Sequence, residues 1–423
     1  MNEFNKIIGY ENVKNELGQI IDMFKNKEIY ERMGAKLPKG VLLFGNPGLG
    51  KTMLADAFCK ECGVATFVLR NTLTDDNLIG EVNSIFECAS KKEKAIIFID
   101  DMDKFGGEDD YHCDNKIFNT IQSNIDMVKD KDVLVIATVN DINILPVSLI
   151  RNGRFDRKIN ICTPNNTDAK KIIEYYLKQK RIDPNMNFED VTKMINYTSC
   201  ASLETIINEG AVHAASLRKD FIDIDDIVKA YIKDQYNQCN EEFNCSNEAI
   251  EKAALHEAGH IVVAEALKEN SVGFVTIQAS NVNIMHGFTH ICEMFDRRPD
   301  NIAIALGGKT ACELFYEGRC ASGCQSDLIK AYNLVKGGIS SSGTCGLAGL
   351  DFSSKESSEL QKNNNEIIVH AELEKYMFKV KDILLKNKEY LLALAKEISV
   401  KRTLLYSDIR RIASGFTLVK YIL

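Results

Sequence analysis

The first part of the chain alternates short apolar runs with longer stretches of mixed character. The apolar runs occupy residues 41–44, 64–69, 95–99, 133–138 and 158–161. Short continuous apolar runs that are separated by helix-length segments predict a parallel β-sheet covered by helices on both faces. We therefore expect residues 1–165 to form an α/β domain.

The pattern changes after Pro164. Residues 168–179 and 202–218 carry apolar side chains at three- and four-residue spacing, which predicts a small helical unit over residues 166–236. Residues 237–247 are polar and aperiodic, as in a linker. Beyond them we predict a third, mainly helical domain over residues 248–423, with one long helix at 248–268 and a mixed segment at 272–291.

A phosphate-binding motif follows the first predicted strand. It fits the pattern GxxxxGK[ST] and consists of Gly45, Asn46, Pro47, Gly48, Leu49, Gly50, Lys51 and Thr52. Glycines let backbone N–H groups turn toward phosphates, Lys51 reaches the β- and γ-phosphates, and the Thr52 hydroxyl coordinates magnesium. Because a predicted strand precedes the motif and a predicted helix follows it, we expect a nucleotide site with magnesium.

Polar residues stand at the ends of two other predicted strands. Asp100 and Asp101 follow the run 95–99, and Asn140 follows the run 133–138. At the carboxyl edge of a parallel sheet, Asp100 would hold magnesium and Asp101 would orient or activate the attacking water. The alternative for this pair is an ordinary solvated turn at the end of a strand. Asn140 is in reach of the γ-phosphate or of that water, although asparagine is also an ordinary turn residue.

Three arginines lie within seven residues before the last predicted strand. Arg151, Arg154 and Arg157 are too concentrated for a typical solvated loop. A guanidinium that neutralises charge on the γ-phosphate, supplied by a neighbouring subunit, is one interpretation. An ordinary solvated loop is the other interpretation, and the spacing alone does not decide between them.

A metal-binding motif lies within the predicted helix 248–268. The sequence HEAGH places His256 and His260 four residues apart, so both imidazoles share one helix face and can bind one zinc ion with Glu257 beside it as general base. Gly259 is unusual inside a helix and predicts that something packs closely against the backbone there.

Catalytic zinc requires a third protein ligand from farther along the chain. His286 and His290 fall in a segment that reads as strand or loop, where four residues span about 13 Å, so we expect them to be structural. Asp327 opens a predicted helix and is either a ligand or a helix cap.

Composition and charge narrow the class of protein. The 423 residues are 45% hydrophobic and 26% charged, which is typical of a soluble globular chain with several domains. A net charge of -8 argues against nucleic acid as a partner. The 13 cysteines indicate a reducing compartment, with Cys59 and Cys62 expected to pack at a helix end. No apolar run is long enough for a membrane span, so we predict a cytoplasmic chain.

Five motifs together resemble the FtsH family of AAA-type ATP-dependent zinc metalloproteases. The motifs are GNPGLGKT at 45–52, IIFIDDMD at 96–103, GRFDR at 153–157, HEAGH at 256–260 and SGCQSDLIKA at 322–331. The resemblance extends from about residue 9 to about residue 412. It implies an α/β P-loop AAA-type nucleotide domain, a small helical lid at 166–236, and a mainly α-helical zinc metalloprotease domain.

The resemblance also implies roles and partners. Asp327 would be the third zinc ligand and Glu257 the catalytic base. Arg154 and Arg157 would be arginine fingers that act between subunits, and Asn140 a sensor of the γ-phosphate. ATP, magnesium and zinc are the implied cofactors, and the implied assembly is a homohexameric ring that threads unfolded polypeptide to a zinc chamber.

The chain departs from the family pattern at several positions. The resemblance places the pore segment at Leu78-Ile79-Gly80. Most members have an aromatic residue at the first of these positions, where it grips the polypeptide, and here it is Leu78. Asp101 replaces the usual glutamate. Cys200-Ala201-Ser202 replaces the usual Gly-Ala-Asp of the lid. The amino-terminal membrane helices of most members have no counterpart before Gly45.

These observations lead to one main hypothesis and two alternatives. The main hypothesis is an ATP-dependent zinc endopeptidase that unfolds and degrades unfolded or tagged cytosolic polypeptides. Asp101 and Leu78 motivate the alternative of a nucleotide-organised ring with vestigial hydrolysis, which would act as a scaffold, an adaptor or an ATP-independent peptidase. The second alternative is a zinc enzyme that acts on a small molecule, but no residue of the sequence identifies such a substrate.

Overall fold

A computed structural model describes residues 3–70, 75–105, 116–236, 246–277, 280–281, 284–285, 287–316, 324–343 and 359–423. The chain forms two compact units. The first comprises Met1–Arg181 and Asn196–Glu209, and the second comprises Ile182–Ile195 and Gly210–Leu423. All divisions between the units fall inside the predicted lid, and the domain boundaries derived from the sequence stay a prediction.

The first unit contains a five-stranded parallel sheet. Its helices and strands are α1 (Glu11–Lys25), α2 (Lys27–Arg32), β1 (Gly40–Phe44), α3 (Lys51–Cys62), β2 (Ala65–Arg70), α4 (Asp75–Ser90), β3 (Ala95–Asp100), α5 (Lys116–Met127), β4 (Val133–Val139), β5 (Arg157–Asn160) and α6 (Asn166–Lys178). The strand order is β2-β3-β4-β1-β5. All five strands predicted from the apolar runs are confirmed, each within one residue at either end.

The central strands are buried on both faces, which explains their continuous apolar sequences. Every residue of β4 is buried, and so are the first five residues of β3. Alternate side chains point to opposite faces, so Ile97 packs into the core that contains α4 and α5, and Ile96 into the core that contains α1 and α3. Cys59 and Cys62 are free and buried in the second of these cores, as predicted.

The position of Leu78 differs from the expectation for a pore residue. Leu78 lies in α4, is fully buried, and belongs to the core between that helix and the sheet. Gly80, two residues later, is exposed. Leu78 therefore stabilises its own unit and presents no side chain for gripping a polypeptide, because the helical turn that contains it directs the leucine into the core.

The second unit is mainly helical. Its helices are α7 (Phe188–Ile195), α9 (Ile224–Tyr236), α10 (Asn247–Leu267), α11 (Arg298–Phe315), α12 (Gln325–Ser342), α13 (Glu359–Lys386), α14 (Lys388–Lys401) and α15 (Tyr406–Ala413), while α8 (Cys200–Ser216) crosses the division between the units. The predicted long helix at 248–268 corresponds to α10. Within the described residues, no helix combines the length and the hydropathy needed to cross a bilayer.

The mixed segment after α10 forms short strands. β6 (Val272–Thr276) lies between β9 (Phe288–Ile291) and β10 (Thr403–Leu405) in an antiparallel sheet, and β7 (Ser280–Asn281) pairs with β8 (Ile284–Met285). The strands of the larger sheet are short, and β9 has β6 as its partner on one side.

Helices α10 and α11 touch through their backbones. A Cβ atom added to Gly259 would lie 2.4 Å from the carbonyl oxygen of Gly307, and one added to Gly307 would lie 2.7 Å from the carbonyl oxygen of Gly259. Both distances are below any real Cβ contact. The close approach predicted from Gly259 is therefore confirmed, and the approaching group is the backbone of α11.

Candidate active sites

The phosphate-binding motif forms the turn between β1 and α3. Gly45 and Gly48 have φ angles of 144° and 77°, in the region that favours glycine. A Cβ atom on Gly45 would lie 2.1 Å from the carbonyl oxygen of Ile161, so this position also requires the absence of a side chain. Because α3 begins at Lys51, the free N–H groups of its first turn face the loop.

Lys51 is buried and bonded within the loop region. Its Nζ donates to the carbonyl oxygens of Gly45 (2.7 Å) and Asn46 (2.8 Å) and to Oδ1 of Asn140 (2.8 Å). Burial lowers the pKa of Lys51, and three carboxylates oppose that shift, namely those of Asp101, Asp103 and Asp100. Because these acceptors are neutral oxygens, the ammonium group can exchange them for phosphate oxygens.

The residues expected to hold magnesium meet at the end of β3. Oδ1 of Asp100 accepts hydrogen bonds from Thr52 Oγ1 (2.9 Å) and Thr138 Oγ1 (2.8 Å). Magnesium prefers such oxygen ligands beside a phosphate. Thr138 was not identified from the sequence; it lies in the fully buried strand β4 and also accepts a hydrogen bond from the Asp101 backbone N–H (2.8 Å).

Asp101 adopts an unusual backbone conformation. Its φ angle is 49°, in the left-handed region where aspartate and asparagine are enriched over larger residues. Its Oδ2 pairs with Nζ of the exposed Lys104 at 2.6 Å. The local backbone thus gives a physical reason for the shorter carboxylate at this position.

The side-chain amide of Asn140 bridges Lys51 and the carboxylate of Asp103. While its Oδ1 accepts from Lys51, its Nδ2 donates to Oδ2 of Asp103 at 2.9 Å. Oδ1 of Asp103 is buried and has no hydrogen-bond partner among the described residues. Asp103 was not identified from the sequence, because nothing in the spacing shows that it contacts a residue 37 positions away.

The two proposed arginine fingers have different surroundings. Arg154 is 4% exposed, forms two hydrogen bonds to the carboxylate of Asp126 (3.1 and 2.7 Å), and donates to the carbonyl oxygen of Ser148. Arg157 is exposed at the start of β5. The structure therefore argues against Arg154 as a residue that reaches another subunit, because its guanidinium is enclosed by its own unit.

The first turn of α8 contacts the phosphate loop. The Ala201 backbone N–H donates to the carbonyl oxygen of Gly48 at 3.0 Å, and the Cys200 thiol lies 3.3 Å from the Tyr10 hydroxyl. The residues that depart from the lid pattern therefore adjoin the predicted nucleotide site directly.

The metal-site residues converge in the second unit. Oδ2 of Asp327 lies 3.1 Å from Nε2 of His256 and 3.4 Å from Nε2 of His260, and the two Nε2 atoms are 3.1 Å apart. All three ligand atoms lie within 4.8 Å of one another. Two imidazole nitrogens and one carboxylate oxygen are a common donor set for catalytic zinc.

Other groups orient the imidazoles. Nδ1 of His260 donates to the carbonyl oxygen of Ile304 at 2.7 Å, which leaves Nε2 available to a metal. Nδ1 of His256 lies 3.7 Å from the Cys324 sulfur, and a Cβ atom on Gly308 would lie 2.5 Å from the His256 ring. These supporting residues could not be identified from the sequence, since their contacts depend on how α11 and α12 pack against α10.

Electrostatics favour a positive charge among the three ligands. Burial would lower the pKa of His260, but hydrogen bonding and the charge of Asp327 raise it to about 9. Burial by itself would raise the pKa of Asp327, but hydrogen bonds with His256 and His260 hold this pKa well below its usual range. The site thus attracts a cation, and its donors fit zinc.

Glu257 is buried beside the ligands on α10. It is 4% exposed, and its Oε2 accepts a hydrogen bond from Thr289 Oγ1 at 2.6 Å. His290, the next residue in β9, lies opposite Phe274 and bonds to the Tyr231 hydroxyl at 3.2 Å. His290 is therefore structural, as predicted, and His286 lies outside the described residues.

Comparisons with known proteins find similar sequences for the first unit and for nearly the whole chain. The sequence model described as "ATPase family associated with various cellular activities (AAA)" matches residues 41–163. Proteins named ATP-dependent zinc metalloprotease FtsH from Borreliella burgdorferi and Mycoplasma pneumoniae are each 29% identical, over 97% and 96% of this chain and 69% and 61% of their own length. One named FtsH 1, from Alkaliphilus metalliredigens, is 29% identical over 98% of this chain and 74% of its own.

Proposed function

We propose that the chain, which is similar to FtsH proteases along nearly its whole length, is an ATP-dependent zinc endopeptidase that degrades unfolded or tagged polypeptides as a ring-shaped oligomer. The observation that carries this proposal is the convergence of His256, His260 and Asp327 beside the buried Glu257. The same chain contains an AAA domain with a complete phosphate loop, and this domain would supply the energy for unfolding.

The metal-site residues divide the peptidase chemistry among them. His256, His260 and Asp327 would hold zinc, which supplies a Lewis acid for the scissile carbonyl and for a water molecule. Glu257 accepts a proton from the attacking water and passes it to the leaving amine nitrogen. Its burial and its hydrogen bond with Thr289 keep the carboxylate in one orientation for both transfers.

The nucleotide-site residues divide the work of ATP hydrolysis. Lys51 would release its present acceptors and bind the β- and γ-phosphates, while Thr52 and Asp100 hold magnesium. Asp101 would orient the attacking water, and Asn140 would contact the γ-phosphate through its amide. A neighbouring subunit of a homohexamer would contribute Arg157, which is the exposed member of the arginine pair.

One observation favours the alternative of a ring with weak hydrolysis. The short carboxylate of Asp101 is paired with Lys104 at 2.6 Å, so it must leave this partner before it can orient a water molecule. Under this alternative, Asp101→Glu increases ATP turnover many-fold, because the longer side chain restores reach. Unchanged or reduced turnover in that variant would contradict the alternative, and Asp101→Asn measures the hydrolysis that needs no carboxylate.

Degradation of casein by the zinc-loaded chain tests the proposal. The assay compares ATP, a non-hydrolysable ATP analogue and no nucleotide. We expect degradation with ATP alone. Degradation under all three conditions would leave an ATP-independent peptidase, and no degradation under any of them would favour a scaffold. The cytoplasmic location stays a prediction that fractionation of cells would test.

A further inference from the structure

The strand β9 contacts the carboxylate of Glu257 through a hydroxyl group. Thr289 lies in this strand, which pairs with β6 through Thr289↔Val275. Its Oγ1 donates to Oε2 of Glu257 at 2.6 Å, across 32 residues of sequence. Threonine has few side-chain rotamers on a strand, so its hydroxyl is held in place before it meets the carboxylate.

A glycine on the same segment encloses the other side of the carboxylate. A Cβ atom on Gly287 would lie 2.2 Å from Oε1, 2.4 Å from Cγ and 2.5 Å from Cδ of Glu257. The φ angle of Gly287 is not in the left-handed region, so the position requires space rather than a special backbone conformation. Any side chain there would have to displace the carboxylate.

We propose that Thr289 is a positioning residue for the catalytic base, and that Gly287 provides the space in which Thr289 holds it. This inference rests on the proposed peptidase function. One carboxylate oxygen is occupied by the hydroxyl, which leaves the other for the proton of the attacking water. Without the hydroxyl, the flexible glutamate side chain samples other rotamers, and a base displaced by about 1 Å can lose about 100-fold in rate.

Kinetics of matched variants test the role. Thr289→Val removes the hydroxyl and keeps the shape, while Thr289→Ser keeps the hydroxyl. With an unstructured fluorogenic peptide, we expect Thr289→Val to lower kcat about 10- to 100-fold with KM within about twofold, and Thr289→Ser to stay within about threefold of the wild type. An unchanged kcat in Thr289→Val, or an equal loss in Thr289→Ser, would overturn the inference.

Two controls distinguish a positioning role of Thr289 from damage to the fold. Thr276→Val makes the same change in the neighbouring strand β6, where the hydroxyl meets Thr403 at 3.0 Å instead of Glu257, and it should retain kcat. Zinc content should match the wild type in all variants.

Gly287→Ala is a further test of the inference. It should lower kcat as Thr289→Val does, because its Cβ displaces the same carboxylate. A Gly287→Ala variant with the wild-type kcat would contradict the inference.

A second readout does not depend on catalysis. In the zinc-free protein, a double-mutant cycle of Thr289→Val and Glu257→Ala measures their coupling in the unfolding equilibrium constant. A charge-assisted hydrogen bond predicts coupling of about tenfold or more, and coupling below about twofold would overturn the contact. A wild-type protein that cleaves no peptide would contradict the proposed function, and the coupling would still decide whether Thr289 holds Glu257.

Discussion

At the scale of single residues, the proposed function assigns Glu257 the transfer of a proton, whereas His256, His260 and Asp327 would bind the metal. Glu257→Gln keeps the shape of the side chain and an acceptor for Thr289, but an amide cannot take a proton from water. We expect peptide cleavage to fall by about 100- to 10,000-fold, with zinc content and ATP hydrolysis unchanged. The control is Glu251→Gln, an exposed change on the same helix. Cleavage that persists in a zinc-replete Glu257→Gln would contradict the assignment.

His290 leads to a prediction about pH at the same scale. Burial lowers its pKa to about 4 from an ordinary value of 6.5. Between these values the unfolded chain binds a proton that the folded chain does not, so this histidine's contribution to stability is complete above about pH 6.5 and is lost as the pH falls toward 4. Between pH 7.5 and 5.5, the free energy of unfolding should therefore fall by about 1 kcal/mol less in His290→Phe than in the wild type. Urea unfolding of the zinc-free protein measures the difference, and parallel pH dependences would contradict it.

At the scale of elements, the crossing of α10 and α11 supports the metal site. Both helices carry groups of the site, and the backbones touch where Gly259 meets Gly307. Gly307→Ala would push the helices apart, because its Cβ would lie 2.7 Å from a backbone oxygen that cannot move independently. We expect a loss of about 1–3 kcal/mol in the free energy of unfolding, together with weaker zinc binding.

The control for this prediction is a glycine in open space. Gly337 lies inside α12, and a Cβ atom there would meet nothing within 4 Å. Gly337→Ala should stabilise the protein by about 0.5–1 kcal/mol, since alanine is the better helix former. Chemical denaturation and zinc titration of both variants make the comparison. Equal effects of the two substitutions would show that the helix crossing does not require glycine.

The elements also show how far the sequence predicts this protein. The five strands of the parallel sheet and the helix α10 could be located closely, because complete burial produces continuous apolar runs and a metal motif marks its own helix. Thr138, Asp103 and Thr289 could not be found, since each acts through a contact with a distant part of the chain. Leu78 was misjudged because family position does not report burial, which here depends on the packing of α4.

At the scale of the whole molecule, each compact unit contains the residues of one of the two sites, and the proposed function requires a cation from a neighbouring subunit at the nucleotide site. Arg154 cannot easily supply it while it pairs with Asp126 inside its own unit. Arg154→Ala should therefore destabilise the first unit by about 1–3 kcal/mol, a modest value because Asp126 is 47% exposed and solvent weakens the pair. Arg157→Ala should change stability by less than about 0.5 kcal/mol. Thermal unfolding of the two variants distinguishes them, and equal stability losses would contradict the assignment.

The role proposed for Arg157 predicts that two inactive variants restore each other. If Arg157 acts on the nucleotide of a neighbouring subunit, Arg157→Ala lowers ATP hydrolysis by about 1,000-fold or more, and Lys51→Ala abolishes phosphate binding in its own subunit. In a mixed ring, a subunit with intact Lys51 can receive Arg157 from a Lys51→Ala neighbour, so mixing should recover hydrolysis at the sites between such neighbours. A mixture of Arg154→Ala with Lys51→Ala provides the comparison. Because Arg154 acts inside its own unit, the activity of an Arg154→Ala subunit depends on its own stability and not on the neighbouring subunit. Mixtures of Arg157→Ala and Lys51→Ala that stay inactive, although the subunits exchange, would place the action of Arg157 within its own subunit.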